Sequence, residues 1–149
     1  MTLKIKSYEE LTKDELYEIL RSRADIFVVE QDCPYQDLDG KDRRSIHVFY
    51  EDDDGRVSAY LRLFYRDESA KAVQMGRVLT LVHGTGLGGR LLHKGMEYAR
   101  NVMGAKSVYL EAQTYAVGYY EKEGLRVLSD EIITVDGLPH VRMQWTKEG

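Results

Sequence analysis

The sequence predicts an α+β fold built on a mostly antiparallel sheet with one β-α-β crossover, and three observations carry that prediction. Strand-like runs at residues 46–50 and 57–65 flank the turn DDDG, the pattern of a β-hairpin. A third run, residues 73–82, passes directly into the glycine-rich segment HGTGLGGR, and an apolar stripe at helical spacing follows. Taken in order, the elements read β-α-β-β-β-α-β-α-β-β. An antiparallel meander joined to one crossover belongs to the α+β class.

Residues 3–7 alternate apolar and polar side chains, as a short strand does. Thr12 and Glu15 form a capping box, and Leu16, Ile19, Leu20 and Phe27 recur at helical spacing, so a helix is expected over residues 13–29. The stretch EQDCPYQDLDGKD then reads as loop, with Pro34, Gly40 and several aspartates. The polar turn RDESAK leads into the third strand of the meander. Beyond the glycines, Leu87, Leu91, Leu92 and Met96 mark a helix ending near Met103, with Gly104 as its C′ residue. Residues 108–112 make a short buried strand, and residues 116–123 a short helix stopped by Gly124. Two strands, residues 127–135 and 140–146, close the chain around DGLP.

Composition narrows the classes of function. A chain of 149 residues favours one domain with a core of its own. The net charge of −4 disfavours a nucleic-acid partner, which needs a basic face to neutralise phosphate. No apolar run approaches the ~20 residues of a membrane span, and MTLKIKSYEE lacks the apolar stretch of a signal peptide. Cys33 is the single cysteine, so no intrachain disulfide forms and the cytoplasm is the expected compartment. Cys33 itself reads as structural, since it is followed by Pro34 and has no recognisable base beside it.

Three phosphate-binding patterns can be laid over TLVHGTGLGGRLLHK. A P-loop would need Lys and then Ser or Thr after its last glycine, where Arg90 and Leu91 stand, so that reading fails. Gly84, Gly86 and Gly89 satisfy the dinucleotide fingerprint GxGxxG, and Glu111 lies where a ribose-binding acid would be. That fingerprint opens a series of βαβ units, however, and here an antiparallel meander precedes it. The third pattern is a helix N-terminus whose backbone N–H groups cradle a pyrophosphate, with Gly84, Gly86, Gly88 and Gly89 allowing close approach.

At this point the chain resembles the GNAT superfamily of acyl-CoA-dependent N-acyltransferases. The later segment QTYAVGYYEKEGL is similar to that family's Asn, Ala, Phe-Tyr, Gly-Phe motif, with Gln113 for the Asn, Tyr119-Tyr120 for Phe-Tyr and Leu125 for the Phe. RADIFVVEQDCPYQDLDGKD, VYLEAQ and DGLPHVRM look like signatures of its ElaA-like branch, and the likeness covers nearly the whole chain. Two departures are His83, where a basic or amide residue is usual, and a shortened LTLVHG segment.

The resemblance implies a mixed, mostly antiparallel sheet flanked by helices, with a splayed central strand pair. It implies acetyl-CoA as cosubstrate, a small-molecule or peptide amine as acceptor, no metal, and a possible homodimer. Coenzyme A would lie along Leu79, Thr80 and Leu81, across His83, Gly84, Thr85, Gly86, Leu87, Gly88, Gly89 and Arg90, and against Gln113 and Tyr119. Tyr120 maps onto the general acid that protonates the leaving thiolate, although a tyrosine there could equally pack the short helix. For the base, Glu111 at a strand end and His140 in DGLPH both remain open. Glu30, Asp39 and His47 are the expected acceptor residues, with the acidic loop attracting a cationic amine. A CoA-binding regulator without turnover and an NAD-dependent oxidoreductase are the alternative readings.

Overall fold

The computed structural model describes residues 1–31 and 36–149. After β1 (Thr2–Ser7), α1 (Lys13–Arg23) starts on the capping box read from the sequence. The Thr12 hydroxyl accepts the Glu15 N–H at 3.0 Å, and the Glu15 carboxylate accepts the Thr12 N–H at 2.9 Å. Lys4 and Lys6 of β1 donate to the same carboxylate at 2.8 and 2.9 Å, which ties the helix start to the edge strand. Burial opposes the charge on Glu15, but the donors from Lys4, Thr12 and Lys6 outweigh it and hold its pKa at about 2.

Helical winding continues to Glu30, with a difference from expectation: Ala24–Glu30 is a π-helix. Gln31 donates back to the Ile26 carbonyl at 3.2 Å, five residues away. Apolar spacing over two turns does not separate this winding from an α-helix. A 3₁₀ turn, Lys41–Arg44, then leads into the sheet.

The meander comprises β2 (Ile46–Glu51), β3 (Val57–Asp67) and β4 (Ala72–Thr80), all antiparallel. The crossover α2 (Leu87–Asn101) carries the chain to β5 (Ser107–Gln113), which pairs parallel with β4. A 3₁₀ turn, Thr114–Ala116, opens α3 (Val117–Glu121), and three strands follow: β6 (Arg126–Val127), β7 (Ile133–Val135) and β8 (Leu138–Thr146). The sheet order is β1-β2-β3-β4-β5-β8-β6, with β7 also paired to β8. The expected strand over residues 127–135 is therefore two short ones. Ser129, Asp130 and Glu131, poor strand formers, fall in the break between them. Asp136 and Gly137 make the two-residue β7–β8 turn with φ of 51° and 77°, the backbone that Asp-Gly favours.

Helices cover both faces of β3, whose residues from Val57 to Phe64 are buried without alternation. Ile19 of α1 packs with Phe49, Tyr60 and Leu79 of the sheet. Leu87, Leu91 and Met96 of α2 pack with Leu61 and its neighbours. The closest approach is at Gly95, where a Cβ would come within 2.8 Å of the Leu61 side chain. Replacing Gly95 by Val is expected to cost about 1–3 kcal/mol through overpacking. The check is the denaturation midpoint; an unchanged midpoint would mean that α2 does not rest on β3 there.

Candidate active site

β4 and β5 pair only at their starts, Ala72 to Gln74 against Ser107 to Tyr109. Beyond those three pairs they diverge, so β4 runs on to Thr80 and β5 to Gln113 with a gap between them. The opposite edge of β4 carries a bulge. Gly76 pairs with Arg62 and Leu79 with Tyr60, so Arg77 and Val78 together oppose Leu61. Arg77 absorbs the irregularity at φ 53°, a backbone region unusual for arginine. The Leu81 N–H donates to the Ser58 carbonyl on β3 at 2.7 Å. Because peptide groups alternate sides along a strand, the Leu79 N–H also faces β3, and those of Val78 and Thr80 face the gap.

Two cavities meet across this gap. The larger, of ≈ 250 Å³, is lined by Val78, Leu79, Thr80, His83, Gly84, Gly86, Leu87, Gly88 and Tyr119. The smaller, of ≈ 160 Å³, is lined by Arg62, Gln74, Gly76, Arg77, Glu111, Asp136 and His140. Seven residues line both: Phe27, Gln31, Val78, Gln113, Tyr115, Ala116 and Tyr120. Tyr120 thus stands at the junction. Burial, with Tyr115 adding to it, pushes the Tyr120 phenol well above its ordinary value, so the hydroxyl carries its proton at neutral pH.

The larger cavity ends at the start of α2. Gly86 takes φ 77° as the N-cap and brings no capping side chain of its own, while the Thr85 hydroxyl accepts the Leu87 N–H at 3.4 Å. The Gly88 and Gly89 N–H groups of the first turn have no partner within the helix. Leu81, Thr85, Gly89 and Arg90, expected at the ligand, are not among the described residues lining this cavity. Leu81 packs in the core under α1. The Thr85 carbonyl instead accepts the Arg90 guanidinium at 3.3 Å, bracing the loop from outside.

In the smaller cavity, His140 donates from Nδ1 to the Leu138 carbonyl at 2.9 Å. A carbonyl can only accept, so a neutral His140 presents Nε2 as a proton acceptor. The Glu111 carboxylate accepts the Tyr109 hydroxyl at 3.1 Å.

The acidic loop is placed differently from expectation. Asp42 accepts Arg23 at 2.7 Å and Arg62 at 3.0 Å; Asp37 accepts Arg23 at 2.9 Å and Arg77 at 2.8 Å. Asp39 accepts the Arg62 guanidinium through both carboxylate oxygens, with Arg77 at 3.4 Å. Burial raises the pKa of Asp39 and Asp42, yet their guanidinium partners outweigh it and keep both well below the usual carboxylate range. Asp39 is therefore neutralised by arginine instead of facing an acceptor. His47 is fully buried behind it. Its Nε2 donates to the Asp42 carbonyl at 2.9 Å and its Nδ1 accepts the Tyr60 hydroxyl at 2.6 Å. Burial lowers its pKa, and this places a neutral ring in the core. Glu30 is exposed at the rim of the larger cavity. Asp32 and Cys33 lie outside the described residues.

Comparison with known proteins fits this geometry. The family model for the acetyltransferase (GNAT) domain matches residues 9–147. The chain belongs to the GNAT acetyltransferase family. It is 35% identical over 140 residues to Protein ElaA of Escherichia coli (strain K12), covering 91% of this chain and 90% of that protein. Identity to the uncharacterized N-acetyltransferase YjcF of Bacillus subtilis (strain 168) is 34% over 141 residues, 93% of this chain and 95% of that one. The crystal structure of Escherichia coli ElaA matches with a TM-score of 0.89 at 32% identity, over 97% of this chain and 99% of that chain. An acyl-CoA N-acyltransferase from Pseudomonas aeruginosa matches at 0.88 and 33%, over 98% and 100%. The resemblance read from the sequence and the expected GNAT fold both hold, and the dinucleotide reading of the glycines falls.

Within this GNAT domain, Phe27, Gln31, Arg62, Arg77, Val78 and Tyr115 line the cavities without having been expected at the site from the sequence. Arg62 in an otherwise apolar strand was the available signal, since a buried guanidinium requires carboxylates and the loop supplies them. Asp42→Ala, which strips Arg23 and Arg62 of a shared partner, is expected to cost about 3–5 kcal/mol. Asp53→Ala on the exposed turn should cost under about 0.5 kcal/mol. Depressed carboxylate pKa values give stability that is complete above the unfolded value of about 3.9 and lost as pH falls below it. Denaturant titrations should therefore show wild type losing stability below about pH 4, and Asp42→Ala losing less. Equal losses would remove Asp42 from the network's energetics.

Proposed function

We propose that this GNAT enzyme transfers an acetyl group from acetyl-CoA to the primary amine of a small cationic acceptor, by direct attack on the thioester. The meeting of the two cavities at Tyr120 carries this reading. A protonated phenol stands between a chamber ending at the glycine-opened start of α2 and a chamber holding Glu111 and His140.

The residues suit coenzyme A. Open N–H groups at the start of α2, reinforced by the helix dipole, favour a pyrophosphate, and the free edge of β4 offers the pantetheine arm strand-like hydrogen bonds. Acetyl-CoA supplies an activated acyl carbon when bound. The Val78 N–H, turned into the gap, is suited to hold the negative charge that develops on the carbonyl oxygen. As the amine nitrogen bonds to the acyl carbon and the carbon–sulfur bond breaks, Glu111 or His140 takes a proton from the amine. Tyr120 gives one to the leaving sulfur. With Asp39 neutralised, attraction of a cationic acceptor falls to Glu111 inside the smaller chamber and Glu30 at the rim of the larger. The direct test is acetyl-CoA turnover against small amines, polyamines and peptide N-termini. CoA binding with no turnover on any of them would favour a regulatory role.

Acetyl-CoA is expected to raise the melting temperature where NAD does not, contributing about 2.7 kcal/mol at a hundredfold excess over Kd. Gly86→Val, forced to φ 77°, should lose most of that protection. Equal protection by NAD would refute the cofactor assignment. Tyr120→Phe should bind CoA normally yet turn over about 10²-fold more slowly, read where chemistry is rate-limiting. An unchanged rate would leave Tyr120 as packing only.

A further inference from the structure

We propose that Arg77 is a positioning residue: clamped by Asp37 and Asp39, its side chain holds the β4 bulge in the conformation that turns the Val78 N–H into the gap. This rests on the acyl-transfer reading above. Its starting point is a conflict inside one residue. Arg77 adopts φ 53° in the middle of a strand, a conformation that glycine takes freely and arginine seldom. Something outside the backbone must hold it there.

The holder is visible. Arg77 Nε donates to Asp37 Oδ1 at 2.8 Å, and its terminal nitrogen donates to the Asp37 carbonyl at 3.0 Å and to Asp39 at 3.4 Å. Those acceptors are immobilised in turn. Arg23, fully buried, holds the carboxylate and carbonyl of Asp37 at 2.9 and 3.1 Å, and Arg62 grips Asp39. The loop therefore acts as a rigid anchor for one side chain of β4.

What the anchor secures follows from strand register. In a regular ladder continuing the Arg62–Gly76 pair, Val78 would oppose Tyr60, and its N–H would be consumed on β3. The extra residue moves that pairing to Leu79 and frees the Val78 N–H toward the cavities. Glycine at position 77 would fit the bulge, but it would also leave it free to relax. Arginine, anchored at a distance, keeps it fixed.

The experiment uses Arg77→Gly and Arg77→Lys in the full-length protein. Since glycine accepts φ 53° and Asp37 and Asp39 keep Arg23 and Arg62, Arg77→Gly should fold, melt within about 3 °C of wild type and bind CoA within about twofold. CoA lacks the thioester carbonyl that the Val78 N–H would meet. The value of kcat should fall about tenfold or more, with an unshifted pH profile, and Arg77→Lys should recover part of it. Retained kcat overturns the proposal. So does a joint loss of melting temperature and CoA affinity, which would mark a structural role. A change confined to the amine KM would make Arg77 a substrate contact and overturn it too. An ¹⁵N–¹H spectrum reads the bulge independently of any substrate: the Leu81 amide resonance, four residues beyond the substitution and bonded to the Ser58 carbonyl, should move in Arg77→Gly, and an unmoved one refutes the positioning role. Failure of wild type to bind CoA or turn over would defeat the acyl-transfer reading and leave this readout standing.

Discussion

Three guanidiniums and three carboxylates meet where the end of α1, the loop before β2, and strands β3 and β4 converge. Arg23 is fully buried and Arg62 nearly so, and each reaches two of Asp37, Asp39 and Asp42. Removing charges from water is expensive, so a cluster of this kind adds little net stability over an apolar core of equal volume. Its consequence is conformational. An arginine on α1 and another on β3 can both be satisfied only when the loop lies in one place. That placement fixes the end of α1, from which the π-helix and Gln31 project over the cavities, and it fixes the bulge on β4. Both walls of the cleft depend on it.

The gap between β4 and β5 follows from topology as much as from side chains. Parallel neighbours joined by a crossover place their carboxyl ends together, beside the N-terminus of the connecting helix. Once the two strands diverge after three pairs, unpaired backbone, the glycine-opened start of α2 and the beginning of α3 all face one space. An extended ligand with an anionic end suits such a space, because strand-edge groups and helix N–H groups lie in line along it. The GNAT membership of the chain agrees with that arrangement.

What was legible in the sequence was local. The capping box at Thr12 and Glu15, the α2 stripe, the DDDG hairpin and the Asp-Gly turn each involve residues within a few positions of one another, where spacing determines geometry. The acidic loop was misread because its meaning lies in partners 14 to 40 residues away. Read alone, Asp39 is a solvated carboxylate; opposite Arg62 it is the partner of a buried guanidinium. His47 likewise lay in a strand that gave no sign of the Asp42 carbonyl and Tyr60 hydroxyl awaiting its ring. The π winding of residues 24–30 was hidden for another reason. Over seven residues the 3.6-residue apolar pattern drifts too little to reveal the wider turn.

The two cavities differ in the proton-bearing groups that line them. Tyr120 and His140 belong to different elements, α3 and β8, and of the two only Tyr120 reaches both cavities. Tyr120 borders both chambers from α3, with a phenol that burial keeps protonated. His140 lines only the smaller, and its Nδ1 bond to Leu138 directs the acceptor nitrogen away from that carbonyl. Glu111 offers a carboxylate in the same chamber, held by Tyr109 from two residues back on the same strand. The smaller cavity therefore gathers two groups able to accept a proton beside one that holds its own, each carried by a different strand or helix.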